Sequence, residues 1–293
     1  MPVSAPAPSA ALPLAGLRVL SLALNLPGPA ALMRCRAMGA TCTKLEPPSG
    51  DPMAAYRPEA YAALHEGVAV EVVDLKTEAG QAQLHRTLEE TDVLLTSFRP
   101  SALAKLGLGW DALHARHPHL SLVAIFGAAG ARAEEPGHDL TYLAKAGLVT
   151  GTDLPPTLYA DMGGALLAAE AVLKAALHRA GTPASGIHLE VALTVAADWL
   201  ALPRHWGLST PEGAVGGAHA GYRVYACADG RVALAALEEH FAKRLCEAAG
   251  IDAKSMFASG THQAIAAWIA SRSRAELEAL ARERDLPLLV LEA

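Results

Sequence analysis

The sequence predicts an α/β fold, in which a mostly parallel Rossmann-like sheet carries helices on both faces and a smaller α+β domain follows. Two observations support this prediction. Between residues 17 and 193, short apolar runs of strand length alternate with longer segments of helical spacing, which is the pattern of β-α-β units and parallel sheets. Beyond a glycine-rich stretch at 213–221, the pattern changes to a hairpin and three helices. We therefore expect a large domain at 1–210 and a small domain at 211–293.

The elements of the large domain follow from local patterns. Short apolar or alternating runs predict strands at 17–24, 41–46, 68–75, 92–98, 120–126 and 187–193. Helical spacing predicts helices at 30–38, 78–91, in part of 103–117, at 162–180 and at 195–202. The helix that starts at Met162 has the clearest boundaries, because Asp161 precedes it as a cap and Gly181 follows it. Ligands of such folds bind at the carboxyl ends of the parallel strands.

The small domain begins with a hairpin pattern. Asp229 and Gly230 predict its turn, between strands at 225–227 and 232–235. Helices are expected at 239–249, 262–271 and 273–284, and a last strand at 286–291.

Composition excludes several classes of function. The net charge is −6 and no basic stripe is present, which argues against nucleic acid as a partner. Four cysteines without CxxC spacing indicate a reducing cytoplasm. The first residues lack a basic segment, and no apolar run reaches the ~20 residues of a membrane span. We expect a cytoplasmic protein, no membrane contact, and disorder over residues 1–14.

Common cofactor motifs are missing from the chain. The first strand-to-helix turn, Asn25 to Pro29, holds one glycine between two prolines, which is not the GxGxxG fingerprint of NAD or FAD sites. The histidines are scattered and show no metal-ligand spacing. Neither a dinucleotide nor a metal is therefore predicted.

Two short acidic turns are the candidates for chemistry. They are Gly137-His138-Asp139 and Ala160-Asp161-Met162-Gly163-Gly164, and each precedes a run of helical spacing. Both aspartates could be helix caps only. Alternatively, the positive helix end keeps Asp161 ionised as a nucleophile or base, with His138 as a partner whose charge changes near neutral pH. Helix N–H groups after Asp161 could then polarise a substrate carbonyl.

Several motifs, in order, resemble one family. They are LAGLRVLSLALNLPGPAALMRCRAMGATCTKLEPPSGDPM, VDLKTEAG, TDVLLTSFRPSALAKLGLGWDAL, PGHDLTYLAKAGL, ADMGGA and YACADGRVALAALEEHF. Together they resemble the family III CoA-transferases, also named for carnitine dehydratase and bile-acid-inducible proteins, which include the 2-methylacyl-CoA racemases. The resemblance extends from Leu14 to about Ala293. It implies coenzyme A as substrate or carrier, an acyl-CoA thioester, a carboxylic acid acceptor, and a homodimer.

The resemblance also implies roles for individual residues. In the transferases, the aspartate at the position of Asp161 attacks the thioester and then carries CoA as an aspartyl thioester. In the racemases, the same aspartate works with a histidine at the position of His138, and a glutamate at the position of Glu238 supports the pair. The expected CoA contacts are Asn25, Leu26, Ser97, Phe98, Arg99, Lys105 and Asp139. The alternative is that Phe98 belongs to the core and that Arg99 and Lys105 are solvated surface residues.

The sequence also departs from the family. The usual basic segment before VDLK reads His65-Glu66-Gly67-Val68-Ala69-Val70, and Glu46 is followed by Pro47 where an arginine is often found. The chain also ends earlier than is usual, which predicts an intertwined but open homodimer. Three interpretations therefore remain open: a CoA-transferase, a racemase or epimerase, and a catalytically inert paralogue that acts as a binding or assembly subunit.

Overall fold

The computed structural model describes residues 12–253 and 255–292. The chain divides into two units, the first of which ends at Ala201 and the second of which begins at Leu202, whereas the sequence predicts the division after residue 210. Of the segment expected to be disordered, residues 1–11 lie outside the described residues. The expectation is wrong for Leu14, because its side chain is 1% exposed and its N–H donates to the carbonyl of Met38 at 2.9 Å.

The first unit is built on a six-stranded parallel sheet. Its strands are β1 (Arg18–Ser21), β2 (Thr41–Glu46), β3 (Ala69–Val72), β4 (Val93–Thr96), β5 (Ser121–Phe126) and β6 (His188–Ala192). They lie in the order β3-β2-β1-β4-β5-β6, and every neighbouring pair is parallel. This confirms the predicted fold class. The strand order reverses direction between β1 and β4, and a crevice at the carboxyl ends of such strands is the usual ligand site of doubly wound sheets.

Nine helices between residues 27 and 205 connect and cover these strands. They are α1 (Pro27–Ala37), α2 (Pro52–Tyr56), α3 (Pro58–Leu64), α4 (Glu78–Glu89), α5 (Pro100–Lys105), α6 (Trp110–Arg116), α7 (Asp139–Lys145), α8 (Tyr159–Gly181) and α9 (Leu193–His205) among the residues that the structure describes. The short helices α2 and α3 are absent from the sequence prediction, although each begins with a proline, which favours the first helical position.

Each face of the sheet has its own apolar core, because successive strand residues point to opposite faces. Val19, Val93 and Val123 pack with α1 and α8 on one face. Leu20, Leu94 and Leu122 pack with α4, α5 and α6 on the other. Helices on both faces explain why the central strands read as continuous apolar runs rather than as alternating ones.

The predicted cap of α8 is wrong. The helix begins at Tyr159 and its N-cap residue is Leu158, so Asp161 is the third residue inside the helix. The Leu158 side chain makes no capping hydrogen bond. The N–H of Asp161 instead donates to a carboxylate from another helix, described below. This shift of three residues changes what surrounds the Asp161 carboxylate.

The second unit is an antiparallel sheet packed with helices. Its strands are β7 (Tyr222–Cys227), β8 (Gly230–Ala235) and β9 (Leu288–Leu291), and its helices are α10 (Glu239–Ala249), α11 (Ser259–Ala270) and α12 (Arg274–Arg284). Val232, Leu245, Ile265 and Leu277 form the centre of its core. The hairpin, the three helices and the last strand are where the sequence predicts them. Among the helices of the described residues, none combines the length and the apolar character needed to cross a membrane.

Candidate active site

A cleft of about 650 Å³ opens at the carboxyl ends of β1, β4 and β5, at the reversal of strand order. Its size is that of sites that bury a small-molecule ligand. The residues that line it include Leu24, Asn25, Leu26, Met53, Tyr56, Arg57, Ser97, Arg99, Phe126, Gly127, Gly137, His138, Asp139, Tyr142, Leu158 and Asp161. Asp161 and His138 therefore face one cavity, as the sequence predicts.

The turn after β1 forms one wall of the cleft. Asn25 has a left-handed backbone conformation with φ of 63°, and its N–H donates to both carboxylate oxygens of Asp51 at 3.2 and 3.1 Å. A Cβ on Gly28 would overlap that of Ala23, so only glycine lets α1 begin this close to the strand. Ser97 follows the last residue of β4, and its Oγ accepts from the N–H of Leu24 at 3.4 Å.

A buried lysine stabilises this wall of the cleft through its bond to Asp51. The Lys44 ammonium group contacts Glu46 Oε1 at 2.9 Å, Asp51 Oδ2 at 2.6 Å and His65 Nε2 at 2.9 Å. Its three protons thus have three acceptors. Glu46, Asp51 and His65 lie close enough together to hold a cation, and the lysine ammonium is the cation that bonds to all three.

His65 belongs to the segment that replaces the basic residues expected there. Its Nδ1 lies 2.7 Å from the carbonyl of Tyr61, so Nδ1 carries the proton and Nε2 accepts from Lys44. Burial, opposed by that backbone bond, lowers the pKa of His65. In this chain the segment therefore contributes an acceptor to the buried cluster.

Asp139 joins the two helices that carry the acidic turns. It is the first residue of α7 and is buried, and its Oδ1 accepts from the N–H of Asp161 at 2.9 Å. His138, at the N-cap, is fixed through its backbone: its N–H donates to Thr141 Oγ1 at 3.1 Å, and that hydroxyl donates to its carbonyl at 2.8 Å. Asp139 thus satisfies an otherwise free N–H in the first turn of α8.

The electrostatics of Asp161 differ from the expectation. Burial, together with the nearby Asp139 carboxylate and against the effect of His138, raises the pKa of Asp161 to about 6. The helix end alone was expected to keep the group ionised, but desolvation outweighs that effect. At pH 7 roughly nine-tenths of the group is still ionised, so it can act as nucleophile or base, with less solvation than a surface carboxylate.

The raised pKa of Asp161 predicts the stability of a variant. Ionisation of this group costs more in the folded state (pKa about 6) than in the unfolded state (3.8), so the cost is present above pH 6 and disappears as pH falls towards 4. Asp161→Asn cannot ionise, and we expect it to raise the free energy of unfolding at pH 8 by about 1–2 kcal/mol, discounted for partial exposure. The gain should vanish at pH 4. Urea unfolding at both pH values measures it, with the exposed Asp198→Asn as control; an equal effect at both pH values would contradict the shift.

Some of the other predicted site residues line the cleft and some do not. Asn25, Leu26, Ser97, Arg99 and Asp139 line the cleft with His138 and Asp161. Phe98 packs against the core on one face of the sheet, Lys105 is exposed in the last turn of α5, and neither is among the residues that line the cleft. Glu238 is in the second unit, exposed at the N-cap position of α10. The roles of all these residues stay predictions.

The expected source of carbonyl polarisation is also wrong. The N–H of Asp161 donates to Asp139, and the N–H of Met162 donates to the carbonyl of Leu158 at 3.0 Å. Because α8 starts before Asp161, the following N–H groups are used within the helix. A polarising donor must therefore come from elsewhere in the cleft.

Comparison with known proteins identifies the relatives of this chain. The sequence profile described as CoA-transferase family III matches residues 14–292. The chain belongs to CoA-transferase family III. A relative in Mycobacterium tuberculosis, "Probable fatty acyl-CoA transferase Rv3272", is 35% identical over 201 residues, which are 61% of this chain and 49% of the relative. The human "Alpha-methylacyl-CoA racemase" is 32% identical over 179 residues, 58% of this chain and 45% of that protein.

Solved structures of the family share the fold. A crystal structure of the Mycobacterium tuberculosis protein superposes with a TM-score of 0.81 at 27% identity, covering 97% of this chain and 86% of that chain. In sequence alignment, this family member spans about half the length of the two curated relatives named above. Both names concern acyl-CoA chemistry, but one is a transferase and the other a racemase.

Sequence reasoning missed three side chains of this family member's site. Arg57 and Tyr142 line the cleft, and Lys44 stabilises its wall. A signal existed for Tyr142, which follows His138 by four residues and so shares its helix face. Lys44 and Glu46 alternate along β2 on one side of the strand, but nothing local indicates that this side is buried.

Proposed function

We propose that this protein transfers CoA between carboxylic acids through a covalent intermediate on Asp161. The observation that carries the proposal is the half-buried Asp161 carboxylate in the cleft at the sheet's switch point, with its pKa raised to about 6. A carboxylate with reduced solvation, ionised at neutral pH and open to a ligand cavity, is suited to attack a thioester. Membership of CoA-transferase family III supports the same chemistry.

The chemistry balances without an external oxidant or metal. An Asp161 oxygen attacks the acyl carbon, the carbon–sulfur bond breaks, and CoA leaves as thiolate from a mixed anhydride. The thiolate then attacks the aspartyl carbon, which releases the first acid and leaves an aspartyl-CoA thioester. The acceptor acid repeats these two steps in reverse and leaves as the new thioester. The first attack needs Asp161 as a free carboxylate, so the reaction should slow as pH falls through about 6.

The cleft offers groups suited to CoA. Arg57 and Arg99 both line it, and guanidinium groups bind phosphates through charge-assisted hydrogen bonds. We propose that Arg57 supplies positive charge in place of the absent basic segment, beside the predicted contacts Asn25, Leu26 and Ser97. Phe98 and Lys105 remain predicted contacts of the nucleotide.

The function is tested by trapping its intermediate. Incubation with acetyl-CoA followed by hydroxylamine should convert Asp161 to a hydroxamate, which mass spectrometry of the peptide detects. Acetyl-CoA should also raise the melting temperature, because a ligand that binds only the folded state stabilises it. Free acetate with hydroxylamine is the control. Absence of the hydroxamate, with or without a melting shift, would overturn the proposal.

A second candidate is a 2-methylacyl-CoA racemase or epimerase. His138 lines the same cleft and lies near enough to lower the pKa of Asp161, so the two groups could exchange a proton with the α-carbon of a thioester. The similarity to the human racemase supports this reading, and Glu238 is its proposed supporting residue. Deuterium incorporation at the α-carbon of a 2-methylacyl-CoA in D₂O would identify it, since acyl transfer through Asp161 requires no such exchange.

The absence of the basic segment at residues 65–70 favours a third candidate, a catalytically inert subunit. Such a protein would bind CoA, or a partner, without forming an adduct, so a melting shift without hydroxamate would identify it. We also propose a cytoplasmic homodimer. A monomeric mass in light scattering would exclude the dimer without bearing on the chemistry.

A further inference from the structure

Two glycines leave room for the Tyr142 side chain in the cleft that Asp161 also lines. Tyr142 lies in α7, and the residue is 9% exposed. A Cβ on Gly127 would overlap the Tyr142 hydroxyl, and one on Gly137 would lie 2.5 Å from its ring. The phenol thus packs directly against the backbone at the end of β5 and at the acidic turn, and both glycines are needed for it to reach the cleft.

The hydroxyl of Tyr142 has no hydrogen-bond partner among residues 12–253 and 255–292. The partly buried Tyr61 donates to Glu46 at 2.9 Å, and the buried Tyr225 donates to the carbonyl of Ala220 at 2.7 Å. Buried tyrosine hydroxyls usually find a partner. Tyr142 lines the cleft, and its hydroxyl oxygen is not fully buried. The hydroxyl is therefore accessible from the cavity.

The Tyr142 phenol is a donor rather than a base. Burial and the charge of Asp161 both raise its pKa, against Arg99, so it keeps its proton at neutral pH. The site also needs such a donor. The N–H groups of Asp161 and Met162 are both engaged, and attack on a thioester places negative charge on the carbonyl oxygen, which catalysis must stabilise.

We propose that Tyr142 donates its hydroxyl proton in a hydrogen bond to the carbonyl oxygen of the acyl group that Asp161 attacks. This inference rests on the proposed acyl-CoA chemistry and assigns its oxyanion donor. The phenol keeps its proton throughout, and the bond shortens as charge develops on the carbonyl oxygen. A donor of this kind acts on the transition state more than on the bound substrate.

Tyr142→Phe tests the assignment, since it removes only the hydroxyl and keeps the ring between the two glycines. Single-turnover formation of the Asp161 adduct from acetyl-CoA should slow by about 10²–10³-fold, with little change in the acetyl-CoA concentration that gives half the maximal rate. Tyr225→Phe, which loses a structural hydroxyl in the second unit, should leave the rate unchanged. An unchanged rate in Tyr142→Phe would overturn the inference while the wild-type adduct upholds the function; no adduct in the wild type would overturn both.

A spectroscopic measurement separates this role from a structural one. In the Asp161→Asn background, which leaves the thioester intact, acetyl-CoA labelled with ¹³C at the carbonyl can be observed by infrared difference spectroscopy. The bound carbonyl should absorb at lower frequency with Tyr142 than with Tyr142→Phe, because a hydrogen bond weakens the C=O bond. Equal frequencies would show that the phenol does not touch this oxygen.

Discussion

Asp161→Asn is expected to abolish adduct formation and CoA transfer, by about 10³-fold or more, as removal of a covalent nucleophile does. The amide keeps the size of the side chain and cannot attack a thioester. The rate of acyl-CoA formation from acetyl-CoA and a carboxylic acid measures the loss, and trapping by hydroxylamine locates it. The protein should remain folded, because the substitution removes the cost of ionising a half-buried carboxylate.

Two further variants accompany Asp161→Asn, one as a control and one to separate the two enzyme candidates. Asp198→Asn makes the same chemical change on an exposed position of α9 and should leave the rate unaltered. His138→Gln separates the enzyme candidates, because it should stop α-proton exchange in a racemase while a transferase still forms the Asp161 adduct. Full transfer activity in Asp161→Asn would place the nucleophile elsewhere and remove the basis of the proposed function.

Lys44→Met is expected to cost about 3–5 kcal/mol of the free energy of unfolding, the usual loss when one partner of a buried ion pair is removed. The Lys44 side chain is fully buried and bonds to Glu46, Asp51 and His65. Methionine fills a similar volume but leaves two buried carboxylates without a cation. Asp51 also accepts from the N–H of Asn25 in the cleft wall, so acetyl-CoA should stabilise the variant less than the wild type.

Urea unfolding measures the effect of Lys44→Met, and two further variants test its cause. Lys174→Met breaks an exposed pair with Glu170 and should change the free energy of unfolding by less than about 0.5 kcal/mol. Adding Glu46→Gln to Lys44→Met should recover part of the loss, because it removes one uncompensated charge. A loss below about 1 kcal/mol in Lys44→Met, or no recovery in the double variant, would show that the cluster is solvated rather than buried.

The similarity of predicted and observed strands has a local origin. Runs such as 120–126 and 187–193 are apolar over strand length, and burial on both faces of a parallel sheet selects that pattern. Helix α8 extends further at both ends than predicted. At its start, the Asp139 carboxylate accepts a hydrogen bond from the N–H of Asp161 in the first turn. That bond joins residues 22 positions apart, so no local pattern could reveal it.

The sequence by itself determined the fold class and most of the strands and helices in their order, because these depend on local hydrophobic period and on residue type. It also predicted the two acidic turns as the place of the chemistry. Only the tertiary structure decided that β1 and β4 are neighbours, that Lys44 is buried among acceptors, and that Tyr142 and Asp161 line the same cleft. It also showed that burial raises the pKa of Asp161, which the helix end by itself does not predict. Desolvation and the distance between charges depend on which distant segments pack together, and these terms outweigh what the neighbouring residues along the chain impose.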